Sequence, residues 1–113
     1  MVTDQYHYGA IIKMQFDPQA GHEQAGWRPA IIISNDDFNQ KSNLRFVCPI
    51  THTENRCVFH VKIEGCEKTD GVILCEQAKA LDIFARKAVF VEDAPAEIID
   101  EANALVQSIL QVA

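Results

Sequence analysis

The chain has 113 residues, of which 48% are apolar and 23% charged, and a formal net charge of −6. That length implies one domain over residues 1–113 with a modest core, and no apolar run approaches the ~18 residues of a membrane-spanning helix. The acidic balance makes long-range steering toward nucleic acid weak, and the polar stretch Met1–Tyr8 reads as no secretory signal, so the expected location is cytoplasmic.

The cysteines stand at 48, 57, 66 and 75 with no Cys-x-x-Cys pair. This pattern argues against a zinc site. Cys48 and Cys57 fall inside apolar strand patterns and Cys75 closes another, so reduced and mostly buried thiols are expected.

From Gly9 to Phe16, Ile12, Met14 and Phe16 alternate with Ile11, Lys13 and Gln15, which fits a strand stopped by Asp17-Pro18. A polar loop, Gly21-His22-Glu23-Gln24-Ala25-Gly26, leads through Trp27-Arg28-Pro29 into Ala30–Ile33. Glycines at both ends let such a loop turn and approach a ligand closely. Pro29 keeps Arg28 extended and withholds one ladder donor, which suits a strand start. Ala30–Ile33 has no polar side, so it reads as a strand buried on both faces. The loop thus holds His22, Glu23, Gln24 and Arg28 at the mouth of a rigid strand, a means of setting an acid, a base and a cation over a substrate.

Asn35-Asp36-Asp37 is turn chemistry, and one helical turn is expected over Asp36–Gln40. Leu44, Phe46, Cys48 and Ile50 alternate in a strand that exits at Thr51-His52, with Pro49 marking an edge or a bulge. Further strands are expected over Cys57–Ile63, Val72–Leu74 and Ala88–Val91. Leu81–Arg86 is ambiguous between a turn and a short helix. The last segment is a helix: Ile98, Ile99, Ala102, Leu105, Val106, Ile109 and Leu110 share one face, with Pro95 at its first position. Five to seven short strands and one terminal helix make a mainly β (α+β) fold, a small curled sheet or barrel with the helix packed on it.

Phe16-Asp17-Pro18, the segment Gly21–Ala30, Pro49-Ile50-Thr51, Asp70-Gly71-Val72, Glu76-Gln77 and Leu81-Asp82 closely resemble the MazF/PemK (Kid) toxin family, in register from Gly9 to Leu110. The resemblance implies an SH3-like small β-barrel with a C-terminal α-helix, acting as a homodimer. It implies the toxin of a type II toxin–antitoxin module. Such a toxin is a sequence-specific, metal-independent endoribonuclease that cleaves single-stranded mRNA to a 2′,3′-cyclic phosphate and a 5′-hydroxyl without a cofactor. The implied partners are the RNA, a cognate antitoxin and, for the toxin–antitoxin complex, operator DNA.

Metal-free cleavage needs a base for the 2′-OH, a cation for the phosphoryl oxygens and an acid for the leaving 5′-oxygen. Arg28 and Thr51 match the family's catalytic arginine and threonine. Glu23 or His22 is then the proton handler, with His52 a second candidate that is not typical of the family. Gln24, Trp27, His52, Glu76, Gln77 and Lys79 are the expected RNA-binding residues. His7 and His60 read as structural.

Two departures bear on the chemistry. Where the Kid-like branch has Arg-Cys-Asp-Gln, this chain has Leu74-Cys75-Glu76-Gln77, so the mechanism is expected to follow the arginine/threonine scheme. The basic segment common in relatives is Ala88-Val89-Phe90-Val91 here. A rival reading is a non-catalytic protein of the toxin fold that binds gyrase or an antitoxin.

Overall fold

A computed structural model describes residues 5–17, 21–22, 25–52 and 57–111. Seven strands form one antiparallel sheet: β1 (Ala10–Gln15), β2 (Trp27–Ile32), β3 (Arg45–Thr51), β4 (His60–Lys62), β5 (Val72–Leu74), β6 (Lys79–Leu81) and β7 (Val89–Asp93). The order is β4-β5-β3-β2-β1-β7, with β6 paired to β3 beside β5. The helices are α1 (Asp36–Lys41) and α2 (Ala96–Leu110).

The two-sided burial expected of β2 is realised by two cores. Ile11, Ile31, Cys48 and Ile50 face α2, where Ile98, Ile99, Ala102 and Val106 cover them. The alternate residues Ile12, Met14, Ala30, Ile32 and Val47 face away and pack with Phe16 and Ile83. Strand alternation makes this division. The β1–β2 hairpin therefore has almost no solvated face, with Lys13 and Trp27 as its exposed residues.

β3 is the central element. Its first half pairs with β6 through Arg45, Phe46 and Val47, and its end pairs with β5 through Ile50 and Thr51. Pro49 stands at the change of neighbour. The bond from Ile33 N–H to Phe46 O, 2.9 Å, fixes which residues of β3 turn their amides toward β2, and Pro49 is not among them. Its missing donor faces the interval between β6 and β5, so a proline sits in a central strand without breaking the ladder to β2. The expected edge or bulge is instead this interval.

Other boundaries differ for local reasons. The strand expected over Cys57–Ile63 contracts to β4 because His60 N–H bonds Cys57 O at 3.1 Å in a turn, and this leaves Cys57 exposed. The ambiguous Leu81–Arg86 stretch ends β6 and then turns. Asp82 accepts from Ala85 N–H at 3.1 Å, and Ala88 N–H closes on Ile83 O at 2.9 Å. That closure delays the next strand to Val89. Asn35 caps α1 by accepting from Phe38 N–H at 2.8 Å. Pro95 is the N-cap of α2, not its first helical residue. Ile109 and Leu110 are 40% and 72% exposed, so the apolar stripe of α2 outruns the sheet by its last half-turn.

Candidate active site

Ala30 pairs with Pro49. The same register carried two residues further sets Arg28 across from Thr51, on the face that Ala30 and Pro49 share. The ladder itself stops at Ala30 because Pro29 has no N–H to give. Lys79 pairs with Val47 and so joins this face, with its Nζ 5.9 Å from the centre of the Phe16 ring. The face remote from α2 thereby gathers two cations and a buried threonine. Trp27, adjacent to Arg28 and 49% exposed, projects from the opposite face. Of the expected RNA-binding residues, strand alternation thus sets Lys79 on the same face of the sheet as Arg28 and Trp27 on the other.

The loop before β2 is braced from several sides. Gly26 N–H donates to Asp17 Oδ1 at 3.0 Å, and Phe16 N–H to Gly26 O at 2.8 Å. Arg86 donates to the carbonyls of Gln15 and Asp17 at 3.1 and 3.0 Å. Gly21 and Gly26 adopt φ of +59° and +78°, the turning expected of them. Arg28 Nε donates to Ala25 O at 2.6 Å. That bond anchors the guanidinium at Nε. Among the described residues Arg28 makes no ion pair. Gln77 Nε2 donates to His22 O at 3.3 Å, which ties the loop to the turn after β5. Glu23 and Gln24 lie outside the described residues.

At the exit of β3 the chain bends at His52, whose Nε2 pairs with Asp70 Oδ1. Gly71 makes this approach possible. A Cβ there would lie 2.3 Å from Thr51 O and 3.4 Å from His52 Cδ2, at a φ of +110°. The loop that carries Asp70 is held by Glu92, which accepts from the backbone N–H groups of Glu67 and Lys68 and from the Thr69 hydroxyl at 3.1, 3.0 and 2.7 Å. Sequence reading gave no role of their own to Asp70 or Glu92, although Asp70-Gly71-Val72 is one of the segments that carry the family resemblance. Three charge-assisted bonds converging on one side chain lead to an expected result. Glu92→Ala lowers stability by about 2–3 kcal/mol and opens the 64–71 segment to proteolysis, as thermal unfolding and limited digestion will show.

Glu76 Oε2 is engaged by His60 Nε2 at 2.9 Å. The His60 side chain is 5% exposed, which fits its structural reading, and Glu76 is committed to the same contact. Cys48 and Cys75 are buried together. The Cys48 thiol is pushed far above its ordinary range, first by its hydrogen bond with Cys75 and then by burial. Burial and Glu92 also raise the Cys66 thiol. The Cys48 and Cys66 thiols therefore stay protonated at neutral pH.

Fold and site together define a small antiparallel β protein, flanked by a terminal helix, that presents a fixed guanidinium and a hydroxyl from facing strands. The chain belongs to the PemK-like, MazF-like toxins of type II toxin–antitoxin systems, the family it matches over residues 7–110. It is 35% identical over 106 residues to the endoribonuclease PemK of Escherichia coli, covering 90% of this chain and 80% of that one. MazF of Deinococcus radiodurans, in a crystal structure, superposes with a TM-score of 0.85 at 33% identity, over 92% of this chain and 94% of that one. A MazE–MazF complex from the same organism gives 0.81 at 29% identity, over 95% and 97%.

Proposed function

We propose that this protein is an endoribonuclease toxin that cleaves single-stranded RNA at short sequences without a metal. The observation that carries the reading is Arg28, held by Ala25 and facing Thr51 across β2 and β3. A planar, permanently charged fork suits the charge that grows on the phosphoryl oxygens. The Thr51 hydroxyl adds a donor to the same phosphate. Glu23 or His22, from the loop before β2, supplies proton transfer, while Lys79, Gln77 and Gln24 contact the flanking nucleotides. The PemK relative is an endoribonuclease by name, and the MazE–MazF relative pairs a toxin with an antitoxin. By the same likeness the toxin is a cytoplasmic homodimer neutralised by a cognate antitoxin, and the complex binds operator DNA.

The test is incubation of the purified protein with a long single-stranded RNA in EDTA. Discrete fragments ending in 2′,3′-cyclic phosphate, lost in Thr51→Ala, are the expected result. Intact RNA across low salt and varied sequence would overturn the reading. Leu74 in the place of the Kid-like arginine and the net charge of −6 favour a second reading, a binding protein of the same fold without cleavage. Intact RNA together with tight antitoxin binding would be its signature.

A further inference from the structure

The His52–Asp70 pair is not explained by folding. Both side chains are largely exposed, at 75% and 83%, and an exposed ion pair contributes little to stability. Yet the pair is built with care. His52 is the residue after Thr51, at the bend that ends β3. Its Cδ2 edge lies over Gly71, where any larger residue would collide with the Thr51 carbonyl. Asp70 is carried by the loop that Glu92 fastens with three bonds. A carboxylate can only accept from a neutral imidazole, so the pairing places the proton on Nε2. It leaves Nδ1, the nitrogen not engaged by Asp70, as the acceptor. A carboxylate that fixes the tautomer and orientation of a solvent-facing imidazole is the arrangement of a general base.

We propose that His52, oriented by Asp70, is the general base of RNA cleavage, a role that rests on the ribonuclease reading above. His52 Nδ1 takes the proton from the ribose 2′-OH. The 2′-oxygen forms its bond to phosphorus, and the bond from phosphorus to the 5′-oxygen breaks. The 5′-oxygen leaves with a proton from the loop group, Glu23 or His22. The imidazolium then returns its proton to water. Arg28 and Thr51 hold the phosphoryl oxygens throughout. Asp70 acts through His52 and is a positioning residue.

Chemical rescue tests this in the full-length protein. His52→Ala is expected to fold like the wild type and to cleave about 10²–10⁴-fold more slowly. Imidazoles added to the buffer restore cleavage, and the restored rate rises with the basicity of the added imidazole. Asp70→Asn slows cleavage at least tenfold, because the amide no longer enforces one tautomer. Cleavage within twofold of wild type in His52→Ala overturns the proposal. So does a defect that no imidazole repairs, or a rescue that falls with basicity, which would mark an acid. Should His52→Ala unfold, His52→Gln takes its place under the same criteria. An inactive wild type removes the ribonuclease reading itself, whereas an active wild type with an unaffected His52 variant removes only this assignment.

Discussion

Arg28→Ala is expected to slow RNA cleavage by about 10³-fold, with little loss of stability. The side chain is half-buried, and among the described residues its hydrogen bond to the body of the protein is from Nε to Ala25 O. Removing that bond costs about 1 kcal/mol, a small part of the ~5–15 kcal/mol that holds such a domain folded. The catalytic cost is larger, because the cation meets charge that exists only in the transition state. Arg28→Lys restores the charge but neither the fork nor the Ala25 contact, and is expected to recover only a small part of the rate. Measuring single-turnover cleavage beside thermal unfolding separates the two effects. A variant that melts like the wild type and cleaves like it would remove Arg28 from the chemistry.

The parts of this molecule that were legible in its sequence are those where one physical pattern dominates. Ala30–Ile33 is apolar on both faces, and the structure supplies a core to each. Ile98, Ile99, Ala102 and Val106 recur at helical spacing and are the residues that α2 buries against the sheet. The Gly-flanked loop before Arg28 was legible because glycine and proline constrain the backbone whatever surrounds them. β6 was not legible, since Lys79-Ala80-Leu81 is too short to show a period and exists because half of β3 lacks a neighbour there. Pro49 was misread for the same reason: whether a strand proline is tolerated depends on what faces its missing donor. His52 and Asp70 were unconnected in the sequence because the antiparallel return of β5 onto β3 brings them together, and no local spacing encodes that.

Gly71→Ala is expected to be the most damaging small substitution outside the two cores. A methyl group at this position would stand 2.3 Å from Thr51 O and 3.0 Å from Thr51 C, both backbone atoms of the central strand. No flexible side chain can move aside to relieve the contact. The φ of +110° adds backbone strain that an L-residue rarely bears. Together the collision and the strain predict a loss of about 3–5 kcal/mol, which lowers the melting temperature by more than about 10 °C. Gly21→Ala separates the two causes. Gly21 also has positive φ, +59°, but a Cβ there meets nothing within 4 Å, so strain alone remains and the loss is about 1 kcal/mol. Whatever Gly71→Ala protein stays folded must push β5 away from the end of β3, which moves Thr51 and pulls Asp70 from His52. Its cleavage rate at a temperature well below its melting point should therefore fall at least tenfold, while a stability defect alone would leave the folded fraction fully active. Equal melting temperatures for the two glycine variants would show that β3 and β5 have room to separate, and the close approach at Gly71 would then have no part in holding the site.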